Sequence, residues 1–327
     1  MSNSLRTASE QAPADYDSLK NAAAVLDLGL WSLISLSGDD RKGWLQGQAT
    51  NDVREFDRGS FKTFCLCTPT GQLQAVIDGW CVDEKFLLTC EKTVAQTVLE
   101  RVERMVVLED VAAEDLTSNF VHLSIQGPGA TRELGQLLEL PTLDAGVASI
   151  DGVQVYVLRS RRTALGGWDL WIPAKSKKAI TQIKKAFAVA SLETYQILRV
   201  EAGIPSFGWD YTEKTLAPEL GRAFTDRYIS FNKGCYTGQE VLMRIHSRGH
   251  TNRTWVGLYA DAAIYPGATI QHRANPTAGT VTSSALSPEF GHIGMAFVRN
   301  EVALDEEVVT VHYDGGSVEA EIRHLPF

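Results

Sequence analysis

The chain has 327 residues, 44% of them hydrophobic, enough for two or three domains with cores of their own. Its formal net charge of −9 is spread along the chain without a basic stripe, which argues against a nucleic-acid binder. No uninterrupted apolar run approaches the length of a membrane span, so a membrane partner is not expected either.

Residues 1–21 are polar and rich in Ala and Ser, with Glu10, Asp15 and Asp17 among them. They lack the apolar centre of a signal peptide, and the acidic residues argue against a transit peptide. They read as a flexible tail on a soluble, cytoplasmic protein. Residues 22–30 make a short helix or turn, and a strand follows at Trp31 to Leu36. Ser37-Gly38-Asp39-Asp40 ends it, and a helix carrying Trp44 and Leu45 comes next. The same order recurs at Val121 to Leu140, where a strand meets Gly127-Pro128-Gly129 and then a helix with Leu134. Gly38 and Gly127 each stand seven residues before a helical leucine, Leu45 or Leu134. The pattern suggests a duplicated strand–turn–helix unit.

Between the repeats, Phe61 to Leu66, Leu73 to Val82 and Phe86 to Cys90 read as strands of one sheet. Lys92 to Val107 reads as a helix, with Val94, Val98, Val102 and Met105 at helical spacing. Val153 to Leu158 and Trp168 to Ile172 are further strands. Two helices follow, near 174–189 and 191–202, and Gly203 with Pro205 ends the second. The lysines from Lys175 to Lys185 fit a solvated helix face, with Ile180, Ile183 and Phe187 turned inward. After Arg253 six short strands separated by Gly and Pro turns predict a small barrel or sandwich, with a boundary near 245–254. The class is α+β.

Five cysteines form no C-x-x-C pair. Cys65 and Cys67 share one strand face, at the upper limit of disulfide spacing and with parallel Cβ vectors. Cys65, Cys67, Cys81 and Cys90 read as core residues in a reducing compartment. Cys235 stands apart. Thr237 followed by Glu240 is a capping box, which predicts a helix just after Thr237, buried through Val241, Leu242 and Ile245 and ended by Gly249. Glu240 is spaced to pair with Arg244. Cys235 then lies upstream of a helix N-terminus beside Lys233, and both dipole and ammonium favour a thiolate. The plainer alternative is a small buried hydrophobe. His246 and His250 have the spacing of a helical metal pair, but Gly249 falls between them, and no metal site is expected.

Lys-Gly-Cys-Tyr-Thr-Gly-Gln-Glu (Lys233 to Glu240) resembles the signature of the YgfZ-type folate-binding proteins. These are relatives of the glycine-cleavage T-protein, an aminomethyltransferase, and include mitochondrial iron–sulfur assembly factors. Two more stretches resemble the same superfamily in the same order: Leu45 to Val53, with Thr50-Asn51-Asp52-Val53, and Leu198 to Pro205, with Leu198-Arg199-Val200-Glu201-Ala202-Gly203. The resemblance implies two intertwined ferredoxin-like α+β domains over 22–250, the second unit roughly 54–120. It also implies an antiparallel β-barrel over 251–327 and a central hole holding tetrahydrofolate or a derivative. By resemblance Glu201 reads the pterin edge, where a carboxylate matches paired donors; by spacing alone it is a helix-surface carboxylate. Arg199 would support it or contact an anion. Asn51 and Asp52 would line the hole, or form a turn or helix cap.

The departures bear on activity. Where a T-protein carries Gly-Gly-x-x-Asp-Asp, whose carboxylate serves aminomethyl transfer, this chain has Gly71-Gln72-Leu73-Gln74-Ala75-Val76. Asp78 lies two residues on, on the same strand face as Val76. The T-protein's Tyr-Thr-Gly-Glu is replaced by Ala164-Leu165-Gly166-Gly167. The resulting reading is a tetrahydrofolate-binding accessory protein for iron–sulfur enzymes or their assembly factors, with Cys235 as a reactive thiol and Lys233 as its stabiliser. The alternative is a folate-dependent aminomethyltransferase or other one-carbon, demethylase-type transferase.

Overall fold

The structure, a computed structural model, describes residues 13–327. The first helix, α1 (Tyr16–Asn21), buries Tyr16 and Leu19. The flexible tail expected over residues 1–21 is therefore corrected at its end, because these two side chains tie the chain into the core. The rest of that expectation falls on residues 1–12, outside the described residues.

After β1 (Ala24–Leu26) comes an α+β unit made of β2 (Trp31–Ser37), α2 (Arg41–Gln48), β3 (Phe61–Cys67), β4 (Leu73–Val82), β5 (Lys85–Glu91), α3 (Ala95–Met105) and β6 (Ala112–Asp115). Its five-stranded antiparallel sheet has the order β3-β4-β5-β2-β6. A second unit joins β1 to β7 (Phe120–Gln126), α4 (Ala130–Leu134), β8 (Ala145–Ile150), β9 (Val153–Ser160), β10 (Gly167–Pro173), α5 (Lys177–Ala186) and β11 (Ala188–Ala190). Its six-stranded sheet runs β11-β1-β7-β10-β9-β8 and is parallel only between β1 and β11. Since β1 precedes the first unit and its partners follow it, one unit is threaded through the other. The inserted unit starts at Trp31 rather than near residue 54, because β2 pairs with both β5 and β6.

The duplicated turn has a steric cause. Gly38 (φ 102°) ends β2 and Gly127 (φ 119°) ends β7, both in the left-handed region that suits glycine. A Cβ would stand 2.0 Å from the Asp110 carbonyl oxygen at the first and 2.5 Å from that of Ala22 at the second. In each unit the backbone passes too close for a side chain.

Three helices, α6 (Leu192–Glu201), α7 (Gly221–Tyr228) and α8 (Gln239–Arg248), lead to the last domain. There β12 (Arg253–Ala260), β13 (Thr269–His272), β14 (Asn275–Ser287), β15 (Gly291–Arg299), β16 (Val308–Tyr313) and β17 (Gly316–Arg323) close into an antiparallel barrel. Val256, Leu258, Ile270, Val281, Val298, Val311 and Ile322 fill it. The expected α+β class with a C-terminal barrel is the architecture observed. No described helix is long and apolar enough to cross a membrane.

One core cluster crosses all three parts: Trp31 and Trp80 from the inserted sheet, Leu158 and Trp171 from the second sheet, and Trp255 and Met295 from the barrel. The three parts therefore meet around a shared interior. Helix α3 departs from expectation at its end, where Met105 is exposed and Arg101 is buried instead. Arg101 donates to the Cys67 carbonyl at 2.7 Å and to Gln48 Oε1 at 2.9 Å, which satisfies a charge in the core.

Candidate functional site

Strand β4 sets the site. Its side chains alternate between faces, so Val76 and Asp78 fall on the same wall of a small interior pocket. Asp78 Oδ2 lies 3.1 Å from Arg162 Nη1, while Asp78 Oδ1 is buried without a partner among the described residues. Burial pushes the Asp78 carboxyl up, and the nearby Arg162 and Arg227 only partly oppose it.

Arg162 follows the end of β9 and is itself buried. It donates from Nη2 to Thr89 Oγ1 at 3.0 Å and from Nε to Asp169 Oδ2 at 3.0 Å, and its guanidinium stands 4.6 Å from the Trp31 ring centroid. Thr89, Asp78 and Trp31 belong to the inserted sheet; Asp169 belongs to β10. One guanidinium thus joins the two sheets. Asp169 is fully buried; it accepts from Ser160 Oγ at 2.8 Å and has His122 Nε2 at 3.1 Å. Burial raises its pKa, but Arg162 and His122 outweigh that and hold the carboxyl well below the usual range.

Glu91, at the end of β5, shares the pocket wall with Asp78 and Val76. It accepts from the Phe207 N–H at 3.0 Å and from Ser206 Oγ at 3.0 Å. Burial raises its pKa to about 7 against those hydrogen bonds. The pocket shares Arg161, Ile204, Pro205, Phe224 and Tyr228 with a cavity of about 850 Å³. That cavity is walled by Thr163 from the second unit, Leu220 and Phe224 around α7, and Trp255, Leu325 and Pro326 from the barrel side. The second unit, the segment around α7 and the barrel therefore line a space for a drug-sized ligand, and the inserted sheet walls the carboxylate-bearing recess that adjoins it.

The residues singled out in the sequence are placed differently. Glu201 ends α6 with its carboxylate engaged inside the protein: Oε1 accepts from Tyr16 Oη at 2.8 Å and Ser287 Oγ at 2.6 Å, and Oε2 is 3.6 Å from Lys20 Nζ. The resemblance implies that Glu201 reads a pterin edge; here its carboxylate ties α1 and the barrel to α6, and its neighbours Ala202 and Gly203 reach the cavity wall. Arg199 is buried and donates to Asp210 Oδ2 at 2.5 Å, to the Ile204 carbonyl at 2.8 Å and to Ser283 Oγ at 2.9 Å. It joins α6 to β14 and to the loop after α6. Asn51 donates to the Thr63 carbonyl at 2.9 Å and the Arg227 carbonyl at 3.2 Å. Asp52 pairs with Arg54, which holds its carboxyl well below the usual range. Asp52 also accepts from the Arg54 N–H at 3.0 Å in a local turn, and Asn51 ties that turn to β3 and α7.

The Lys233 to Glu240 stretch packs on the Leu45 to Val53 stretch, so two of the three matching motifs are one structural feature. Lys233 Nζ donates to the carbonyls of Gln46 at 2.7 Å, Ala49 at 2.6 Å and Asn51 at 3.0 Å. An ammonium has three donors, and all three are used. Lys233 is thus a clasp between the motifs, and its expected role beside the Cys235 thiolate is corrected. Burial lowers its pKa to about 8. The capping box is also absent: Gly238 (φ 88°) is the N-cap, and Thr237 turns its hydroxyl toward Gln48 at 3.4 Å. Helix α8 still spans the expected residues, with Gly249 as its C-cap. Cys235 is exposed, whereas Cys65, Cys67, Cys81 and Cys90 are buried. Burial pushes the Cys67 and Cys90 thiols up to about 12. His246 stacks on Phe231 with ring centroids 3.7 Å apart, and among the described residues no cluster of His, Cys, Asp and Glu is arranged for a metal ion.

Sequence reasoning missed Arg162, Asp169, His122 and Glu91. Asp169 carried a signal: an acid inside Trp168-Asp169-Leu170-Trp171-Ile172 is a buried charge awaiting a partner.

Comparison with known proteins bears on the whole chain. Residues 3–229 match the GCVT N-terminal domain and residues 253–327 match the glycine cleavage T-protein C-terminal barrel domain. An aminomethyltransferase of Rubrobacter xylanophilus is 27% identical over 96% of this chain and 85% of its own length. A putative chloroplastic transferase of Arabidopsis thaliana is 24% identical over 94% of this chain and 73% of its own. The crystal structure of the glycine cleavage system aminomethyltransferase T from Bartonella henselae superposes with a TM-score of 0.85 at 20% identity, covering 95% of this chain and 88% of the other, and so shares its fold. The chain belongs to the glycine cleavage T-protein family.

Proposed function

We propose that this protein binds a reduced folate, tetrahydrofolate or a derivative, in the central cavity and transfers a one-carbon unit there. The observation that carries the reading is the buried Oδ1 of Asp78, which has no partner among the described residues, on the wall of the inner pocket. A buried acceptor without a partner is costly unless a ligand supplies one. The acidic positions of the T-protein pattern are apolar here, but β4 presents its next inward residue, Asp78, to the same wall. Arg162 fixes that carboxylate and leaves one oxygen for a ligand nitrogen. The named aminomethyltransferases among its relatives support transfer chemistry.

The test is turnover with methylene-tetrahydrofolate, a lipoyl carrier protein and ammonia. Wild type is expected to turn over, and Asp78→Asn to lose at least about tenfold, the effect of about 1.4 kcal/mol in the barrier. A wild-type protein with no rate above background would overturn the transfer reading.

A second reading has one observation in its favour. Cys235 is the exposed cysteine and sits at the turn clasped by Lys233, in the stretch that resembles YgfZ-type proteins. On that reading the protein is a cytoplasmic folate-binding accessory to iron–sulfur enzymes. Cys235 should then alkylate at neutral pH while the four buried thiols react only after unfolding. Cys235→Ser should keep its folate affinity yet fail to restore cluster-enzyme activity in a deletion strain. Full restoration would remove the thiol from the account.

A further inference from the structure

We propose that Glu91 is the proton-accepting residue of the inner pocket, taking up the proton that a ligand nitrogen loses when it forms a bond to carbon. This rests on the one-carbon reading above and names a residue that the family pattern does not supply.

The geometry is that of neighbouring antiparallel strands. Asp78 on β4 pairs with Thr89 on β5, so Glu91, two residues further along, lies on the same face and diagonally across. Both carboxylates line the inner pocket. Their settings differ. Asp78 is held by a guanidinium at 3.1 Å, whereas Glu91 is held only by a backbone N–H and a hydroxyl, each at 3.0 Å. The first arrangement holds a carboxyl in place and the second suits a group that exchanges a proton.

The charged neighbours agree with this division. Arg161 and Arg162 face the pocket from the end of β9, and Arg199 acts on Glu91 from α6. Opposing them are Asp78 on β4 and Asp210 on the loop after α6. The phenols of Tyr195, Tyr211 and Tyr228 are pushed up by burial and stay neutral, as does the Cys90 thiol. Burial raises the Glu91 carboxyl to about 7, so it titrates near neutral pH.

The step balances as follows. The lone pair of a folate nitrogen forms a bond to the methylene carbon of an aminomethyl donor such as an aminomethyl thioether, and the bond from that carbon to the carrier sulfur breaks, its electron pair leaving with the sulfur. The N–H electron pair then returns to the folate nitrogen as its proton passes to a Glu91 oxygen. The departing thiolate takes a proton from water, and Glu91 returns its own to water through the outer cavity.

The test uses binding rather than turnover. Tetrahydrofolate is titrated calorimetrically into the full chain near pH 7 in buffers of different ionisation enthalpy, for wild type and Glu91→Gln. Wild type should bind with a change in bound protons of a few tenths per site, and Glu91→Gln should bind without it. Carbon-13 NMR of labelled glutamate in wild type should show one carboxyl titrating near pH 7 and moving when tetrahydrofolate is added. This needs no variant, so it holds even if Glu91→Gln folds poorly. Binding with equal proton linkage in both proteins, or no such carboxyl in the wild-type spectrum, would overturn the role of Glu91 and leave folate binding standing. Absence of tetrahydrofolate binding in wild type would overturn both.

Discussion

Replacing Arg162 with methionine is expected to destabilise the protein by about 3–5 kcal/mol, the usual cost of stripping one partner from a buried ion pair. The guanidinium is the only side chain described that reaches Asp78, Thr89 and Asp169 together. Without it, Asp169 is left fully buried with His122 and Ser160, and Asp78 loses the contact that fixes Oδ2. The sign with pH follows from Asp169. Its folded pKa is depressed below the unfolded value, so its contribution is present above the ordinary carboxylate pKa and is lost as pH falls toward the folded one. The variant should therefore have a weaker acid dependence than wild type, as well as a lower midpoint. Urea unfolding at pH 7 and pH 3 measures both. A variant as stable as wild type at pH 7 would mean that the two sheets do not depend on this contact.

Replacing Lys233 with methionine is expected to cost about 2–4 kcal/mol, since charge-assisted hydrogen bonds are lost and buried acceptors are stranded. The aliphatic stem is nearly conserved by methionine, so the change isolates the ammonium and the carbonyls of Gln46, Ala49 and Asn51. Arginine should not rescue it, because a planar fork does not fit a cage built for a compact head. The turn carrying Cys235 is anchored by this clasp and by the Thr237 N–H donating to the Gly47 carbonyl at 3.1 Å. Loosening it should change the rate of Cys235 alkylation as well as the stability. Thermal unfolding and thiol labelling on the same sample report the two effects, and an unchanged midpoint would contradict the clasp.

Much of the fold was legible because it rests on periodicity. The alternation in Leu73 to Val82, the spacing of Val94, Val98 and Val102, and the glycine turns between the barrel strands each depend on one residue's neighbours in sequence. The site was less legible because it depends on partners far apart in the chain. By spacing Glu201 reads as a helix-surface carboxylate, and nothing local shows that Tyr16, 185 residues away, donates to its oxygen. The same holds for Lys233, whose acceptors lie more than 180 residues upstream. The capping box failed for a local reason: Gly238 at positive φ turns the chain into α8 and leaves Thr237 aimed at Gln48. Asp78 was visible as the next residue on the strand face of Val76, but its role depends on Arg162 arriving from the other sheet.

The central claim is that a reduced folate occupies the cavity where the three parts meet, with Asp78 at its inner end. Titration of tetrahydrofolate against the fluorescence of Trp31 and its neighbouring tryptophans, in wild type and Asp78→Asn, tests it most directly. The account predicts saturable one-to-one binding to wild type, weakened in the variant by about 1.5–3 kcal/mol, the worth of a hydrogen bond to a charged group. Equal affinity in the two proteins, or no saturable binding to wild type, would contradict it.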